Sequence, residues 1–367
     1  MEIDYIKLKP KVCALVNRCS GERQAADFVF KELCRILGPN SVHDLNFLEP
    51  SWLASSVAYL QLASPEILFV AGGDGTVALA FDLVNRASGN SDDKGAVIPF
   101  ISIIPMGTGN DLSRCLGFGS GFSLSSCCHC SSCCHVKSLE PVLERSMRAP
   151  RSMLDQWLIC IKDLQGSVVT TVAMTNYFSI GLDAKIANSF DSFRRLHPTL
   201  CDTRGLNKVW YAYLGCKSLC GEPQVSKHLS MKKGTNLEEQ ELVVVPNNLK
   251  SIVFSNINSF AGGTKLWKDK NKRFSPLSIS DRQLEVQGIF GSVHMGLMQM
   301  HLRHAEKITH GNHFHIRLSF PLCCQVDGEA LPCAIAAAEK SGGLEIEISF
   351  LRQTGVLDVN ILERNQA

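Results

Sequence analysis

The amino-acid sequence predicts an α/β domain, an open and mostly parallel sheet with flanking helices, followed by a β-rich, sandwich-like accessory domain. Three observations predict it. Ile67-Leu68-Phe69-Val70 is a run of large apolar residues, as in a strand covered on both faces. It breaks into Ala71-Gly72-Gly73-Asp74-Gly75-Thr76 ahead of a stretch with helical apolar spacing, Val77 to Val84. Ile98 to Ile104 repeats the device and leads into Pro105-Met106-Gly107-Thr108-Gly109-Asn110-Asp111. The two turns lie about thirty residues apart, the spacing of neighbouring βαβ units, which puts both at the carboxyl edge of one sheet. Beyond residue 150 the texture changes to short alternating strands.

Taken in order, the first domain is expected over 8–150. Lys11 to Val16 reads as its opening strand and Asn17-Arg18-Cys19-Ser20-Gly21 as the turn after it. Residues 24–37 carry helical spacing and close at Gly38-Pro39. Val42-His43-Asp44-Leu45 is the next strand, and 51–63 a crossover helix ending before Pro65. Asn90 to Gly95 reads as a surface loop. Cys127 to His135 crowds five cysteines and two histidines into nine residues. Zinc would need two spaced ligand pairs, so an inserted loop is the default there, with zinc or reversible acylation as alternatives. The second domain is expected over 151–355. Its strands are read at 168–174, 242–245, 251–255, 284–289, 313–320 and 344–350, and the tail is expected to pack back on the first domain.

Composition narrows the function classes. The 367 residues carry a net charge of only +2, which argues against a nucleic-acid-binding face. No apolar run reaches the roughly 18–20 residues that span a bilayer. Met1-Glu2-Ile3-Asp4-Tyr5 lacks the basic start and apolar core of an export signal, so the 16 cysteines are read as reduced thiols of a cytoplasmic protein.

A strand–glycine–helix turn brings bare backbone N–H groups against an anion. A carboxylate inside it would repel a phosphate directly, so Asp74 is read as acting through a divalent cation or a hydroxyl. Neither turn is followed by the Gly-Lys-Ser/Thr of a Walker loop, and neither fits Gly-x-Gly-x-x-Gly. The reading is a phosphate-binding edge of another kind.

Gly72-Gly73-Asp74-Gly75-Thr76 together with Pro105-Met106-Gly107-Thr108-Gly109-Asn110-Asp111-Leu112 resembles the catalytic domain of diacylglycerol kinases, eukaryotic type. Thr175 to Ala187, Asn207 to Ala212, Asn256 to Trp267, Ser280 to Val286 and Gln325-Val326-Asp327-Gly328-Glu329 resemble that family's accessory domain. The resemblance implies ATP- and Mg2+-dependent phosphorylation of diacylglycerol to phosphatidic acid. A kinase for a sphingoid base or ceramide, or a lipid- or nucleotide-binding protein with weak catalysis, is the alternative.

Residue by residue, the resemblance implies nucleotide contacts from Asn17, Ser20, Gly21, Gly72, Gly73, Asp74, Gly75, Thr76, Gly107, Thr108, Gly109, Asn110 and Asp111. Asp111 could instead cap the helix that it opens. Asp74 and Asp281 are the implied magnesium carboxylates. The base for the acceptor hydroxyl is Glu329, with Asp327 beside it and Asp74 as rival; an Asp-Gly pair between strands is also an ordinary hairpin turn. Asp155 is either a family acid at the domain junction or a turn carboxylate. Four positions depart from the family pattern: Arg18-Cys19 for Pro-Lys, and Ala261 and Arg282 for glycines. Expected partners are ATP, diacylglycerol and, transiently, a membrane surface; Lys265, Lys268, Lys270, Lys272 and Arg273 around Trp267 read either as a solvated loop, the favoured reading, or as a contact for anionic headgroups, and no nucleic acid is expected.

Overall fold

The computed structural model describes residues 11–89, 98–122, 138–201, 204–217, 223–234, 240–267, 274 and 276–364. It divides into two compact units. One holds the described residues up to Met153 and again from Thr354, and the other is Leu154–Gln353.

The first unit alternates strand and helix: β1 (Val12–Val16), α1 (Arg23–Leu37), β2 (Val42–Asp44), α2 (Trp52–Ala63), β3 (Ile67–Gly72), α3 (Asp74–Ala87), β4 (Phe100–Pro105), α4 (Asp111–Cys115) and α5 (Glu140–Met147). The strands run parallel in the order β2-β1-β3-β4. Every residue of β3 is buried, as its unbroken apolar run requires, and α1 turns Ala25, Ala26, Val29 and Leu33 into the same core. Each such fully buried Leu, Val or Phe contributes about 1.5–3 kcal/mol. Ala71 pairs with Ile104 and Gly72 with Pro105, so the two strands end level. That register delivers both glycine turns to one edge. The Cys127–His135 cluster lies outside the described residues.

The second unit continues through β5 (Arg151–Asp163), β6 (Val168–Met174), β7 (Tyr177–Gly181), α6 (Leu182–Leu196), α7 (Arg204–Lys217), β8 (Leu229–Lys233), β9 (Glu241–Val243), β10 (Ser251–Ser255), β11 (Leu284–Ile289), α8 (Ser292–Gln299), β12 (Glu306–Gly311), β13 (His313–Leu318), β14 (Cys324–Val326), β15 (Glu329–Ala330), α9 (Pro332–Ser341) and β16 (Leu344–Leu357); α10 (Val359–Arg364) ends the chain back in the first unit. An antiparallel sheet β12-β11-β10-β7-β14-β15 faces the β16-β13-β8-β9 strands across one apolar core. Phe254 of one sheet meets Phe314 of the other edge-on at 5.3 Å between centroids. This is the sandwich that the alternation predicts.

Two long helices between β7 and β8 are absent from the strand reading. Gly181, at φ 113°, turns the chain out of β7 into α6. In α7 apolar residues lie on opposite sides: Tyr211 and Leu214 pack against the small core beneath, while Leu206, Val209 and Tyr213 are exposed. A single amphipathic stripe, the usual signature of a helix, is missing.

Ala261 (φ 49°) and Arg282 (φ 58°) stand in the left-handed region, at the two positions where the family pattern carries glycine. Holding a Cβ there costs about 1–2 kcal/mol, only partly recovered through the stiffer unfolded chain. Ala261→Gly is therefore expected to raise stability by ~0.5–1 kcal/mol, read as a higher urea midpoint at unchanged slope. A lower midpoint would contradict it.

Candidate active site

Three loops of the first unit meet in one patch. The Met106 N–H donates to the Gly72 carbonyl at 2.8 Å, zipping the second glycine turn onto the first. Behind that bond the backbones touch. A Cβ on Gly107 would lie 2.5 Å from the Gly73 Cα, and one on Gly21 (φ 71°) would lie 2.1 Å from the Met106 carbonyl oxygen. Only glycine fits at these crossings. Asn17 Nδ2 donates to Thr76 Oγ1 at 2.9 Å, tying the 17–21 turn to the head of α3. Ser20 Oγ lies close to Gly73. Of the thirteen residues expected to meet the nucleotide, the structure thus brings Asn17, Ser20, Gly21, Gly72, Gly73, Asp74, Thr76, Gly107, Gly109, Asn110 and Asp111 together; Gly75 and Thr108 lie in the same two turns.

Asp74 joins the two glycine turns. Its Oδ2 accepts the Asp111 N–H at 3.0 Å and its Oδ1 the Leu112 N–H at 3.1 Å. The first residue of α3 therefore caps α4, satisfying two donors that a helix start leaves open. From the sequence, Asp111 stood between a nucleotide contact and a cap on the helix that it opens. Asp111 is instead buried, and its Oδ2 and that of Asp74 both approach Gly109, at 3.4 and 3.2 Å from where its Cβ would be. Asn110 (φ 52°) donates through Nδ2 to the carbonyls of Gly107 (2.7 Å) and Ser120 (2.9 Å). Its Oδ1 is buried and accepts no hydrogen bond from the protein.

Residues that the sequence did not single out complete the scaffold. Arg114 Nε donates to the Gly109 carbonyl at 2.9 Å, and Asn360 from α10 packs where a side chain on Gly117 would lie. Arg114 follows Asn110 by one helical turn, which was a usable signal; Asn360 is remote in sequence and had none. Arg18 is engaged elsewhere, with Asp27 at 2.6 Å and Asp44 at 3.3 Å.

In the second unit the β14–β15 hairpin turns on Asp327 (φ 52°) and Gly328 (φ 88°), the left-handed pair that a tight hairpin asks for. The Asp327 carboxylate accepts three backbone N–H groups: Thr175 (2.9 Å), Asn176 (2.7 Å) and Tyr177 (3.0 Å). It holds the start of β7. Glu329, two residues on, is exposed.

Further acids of the second unit are buried or held by backbone donors, two of them beside Arg282. Asp155, fully buried, accepts the Arg282 N–H at 2.6 Å and Gln353 Nε2 at 2.8 Å, and burial pushes its pKa up. Asp281 accepts the Gln283 N–H at 3.0 Å in a local turn, and desolvation raises it too. Glu285 is buried on β11 with Oε2 unpartnered; desolvation, helped by the neighbouring Asp281 charge, pushes it up to about 9. Asp183, wholly buried at the start of α6, is raised by the same desolvation; it accepts hydrogen bonds from Ser179 Oγ and from Gln325 Nε2 (2.9 Å).

Among the described residues no three His, Cys, Asp or Glu side chains converge as a ready metal cage, and no helix is long and apolar enough to cross a membrane. The reading of Trp267 as an aromatic membrane contact is corrected. Its ring is buried under Lys307 Nζ, 4.7 Å away, and its backbone is bracketed by the Asn258 amide at 3.0 and 3.1 Å. Of the basic residues expected around it, Lys265 is exposed, and Lys268, Lys270, Lys272 and Arg273 lie outside the described residues.

Comparison with known proteins bears directly on this arrangement. Residues 11–137 match the model of the diacylglycerol kinase catalytic domain, and 173–330 that of the diacylglycerol kinase accessory domain. The chain is 30% identical over 334 residues to diacylglycerol kinase 1 of Arabidopsis thaliana, covering 87% of this chain and 42% of that protein. It is 31% identical over 347 residues to diacylglycerol kinase theta of Mus musculus, covering 89% of this chain and 34% of that one. The chain thus spans well under half the length of these relatives. A crystal structure of a diacylglycerol kinase from Bacillus anthracis str. Sterne aligns with a TM-score of 0.50 at 15% identity, covering 96% of this chain and 98% of that one, a likeness of fold alone. With both domain models matched in order along one polypeptide, the chain belongs to the diacylglycerol kinase family.

Proposed function

We propose that this protein transfers the γ-phosphoryl group of ATP to the free hydroxyl of diacylglycerol, giving phosphatidic acid. The observation that carries the reading is the crossing of the Gly73 and Gly107 backbones with Asp74 capping α4 beside it. Phosphoryl transfer depends on positioning and on charge stabilisation, and glycine turns leading into helix starts let a phosphate approach the backbone without side-chain obstruction. The buried, unpartnered Asn110 Oδ1 is an acceptor suited to a hydroxyl or amine of the nucleotide.

The residues present fit a magnesium ion. Asp74 and Asp111 supply hard oxygen donors close to Gly109, and magnesium is held by one or two carboxylates with phosphate and water rather than by a protein cage. When bound, the ion neutralises charge on the phosphates. Of the two carboxylates expected to hold it, we assign the role to Asp74 and assign Asp281 to the turn that it closes on Gln283.

Glu329 is assigned as the base that accepts the proton of the attacking hydroxyl, because the Asp327 carboxylate is committed to three N–H donors. Glu329→Gln is expected to lower kcat by about 10²–10⁴ with nucleotide affinity unchanged. Asp327→Ala is expected to cost ~2–3 kcal/mol of stability by orphaning those donors. Equal activity of Glu329→Gln and wild type would remove the base assignment. The chain acts in the cytoplasm in this reading, meeting membranes transiently to reach its substrate.

The reaction is tested by offering labelled ATP with magnesium to micelles of diacylglycerol, sphingosine and ceramide in parallel. Selective labelling of diacylglycerol is expected. Labelling of a sphingoid base instead would change the substrate, and nucleotide binding without any transfer would make this a binding protein.

A further inference from the structure

We propose that α7, with the ends of α6 and α8 beside it, is the surface through which this protein docks on an anionic lipid bilayer. The starting observation is that α7 is apolar on both sides. Tyr211 and Leu214 pack into the small core shared with Tyr177, Phe260 and Met295. On the far side Leu206 is 44% exposed, Val209 63% and Tyr213 55%. These three are spaced three and four residues apart, which lines them along one stripe of the helix. A helix with apolar residues on opposite faces is normally enclosed, so a contiguous exposed stripe points to a partner of low polarity.

The stripe does not stand alone. Leu196 (76% exposed) ends α6 and Leu200 (44%) lies in the connection after it, which the Trp210 indole N–H secures by donating to the Leu200 carbonyl at 3.0 Å. The α8 helix packs against α7 and brings exposed Val293, Met300 and Leu302. Exposed apolar residues thus accompany the stripe on and beside both helices that pack against α7. Isolated exposed leucines need no account, but this concentration does.

Charge selects the partner. Arg194, Arg195, Lys217 and Arg303 are exposed on the same three helices or directly after them. Asp191 serves both Arg194 (2.7 Å) and Arg195 (3.4 Å), so one carboxylate faces two guanidinium groups and a positive excess remains. Apolar and aromatic side chains flanked by Arg and Lys are the composition of a surface that sinks into the acyl–headgroup boundary of an anionic membrane. A water-filled contact with a polar protein would have no use for the uncovered leucines, valines and tyrosine.

The same geometry links docking to the substrate. Tyr177 belongs to the core beneath these helices, its N–H is held by Asp327 at 3.0 Å, and its hydroxyl lies 3.7 Å from where a Cβ on Gly328 would be. A bilayer against α7 is therefore one packed layer away from the hairpin that carries Glu329. This part of the inference rests on the reading of the protein as a diacylglycerol kinase; the docking itself does not.

Co-sedimentation of the full chain with phosphatidylcholine–phosphatidylserine vesicles, without ATP or diacylglycerol, tests it. The wild type is expected to bind these vesicles, to bind phosphatidylcholine alone far less, and to dissociate as salt is raised. Leu206→Ser/Val209→Ser/Tyr213→Ser should weaken binding at least about tenfold. Arg194→Glu/Arg195→Glu should do the same on the anionic vesicles. All five positions are exposed, and unchanged thermal unfolding would establish that the variants fold. Wild type that ignores the vesicles, or variants that bind as well as wild type, would overturn the proposal. So would an apolar variant whose only effect is to dissolve a concentration-dependent dimer, because the stripe would then be covered by a second copy. Phosphorylation of a short-chain, water-soluble diacylglycerol separates the two readings: both variants should retain it, and a wild type that binds vesicles but lacks it would lose the kinase reading and keep the docking surface.

Discussion

Asp74→Asn is expected to lower kcat for diacylglycerol phosphorylation by about 10³-fold or more while leaving a folded protein. The side chain has two duties in the structure. Its oxygens accept the N–H groups of Asp111 and Leu112, and its Oδ2, like that of Asp111, lies close to Gly109. Asparagine keeps one acceptor but sets an amide NH2 against the second N–H, so the α4 start loosens, at a cost of ~1–2 kcal/mol. It also removes the negative charge through which the proposed magnesium would be held, so the magnesium concentration for half-maximal rate should rise. Asp74→Ala loses both bonds and should add a lower unfolding midpoint to the same catalytic loss. Turnover by Asp74→Asn within about tenfold of wild type at ordinary magnesium would leave Asp74 only its helix-capping duty.

Glu285→Gln is expected to stabilise the protein increasingly as pH rises, with the second unit carrying the effect. Burial raises Glu285 from its ordinary 4.5 to about 9 in the folded protein, so the folded state keeps a proton that the unfolded chain releases above about 4.5. Stability from this group is therefore greatest below pH 4.5 and is lost as pH rises towards 9. One whole proton corresponds to about 1.4 kcal/mol per pH unit. Between pH 6 and 8 the wild type should lose ~2–3 kcal/mol that Glu285→Gln retains. The glutamine fills the same volume without a charge to desolvate. Asp155 and Asp183 are shifted in the same direction by burial, so a residual slope of the same sign should persist in the variant. Urea unfolding across this pH range reads the difference directly. Parallel stability profiles for variant and wild type would show that Glu285 is ionised in the fold.

Much of this was legible in the chain because it is local. A doubly buried strand needs consecutive large apolar residues, and a turn in which two backbones touch needs glycine, so Ile67–Gly72 and the Gly73–Gly107 crossing were both written in residue type. The left-handed positions of Ala261 and Arg282 could likewise be suspected from the glycines that they replace. What the chain withheld is partnership over distance. Asp74 carries no mark to say that it caps a helix starting 37 residues later, nor Asp327 that its carboxylate holds N–H groups 150–152 residues earlier. Trp267 among lysines looked like a surface aromatic until Asn258 and Lys307 enclosed it.

The sequence by itself determined the α/β-then-β order, the glycine turns and the carboxylates near them, since backbone conformation and strand burial follow from neighbouring side chains. Only the tertiary structure decided which of those carboxylates are engaged by backbone donors and which, like Glu329, remain exposed. It alone revealed that α7 is covered on one face and bare on the other. The reason is physical: hydrogen-bond partners and burial belong to the packed chain, and residues far apart in sequence supply them.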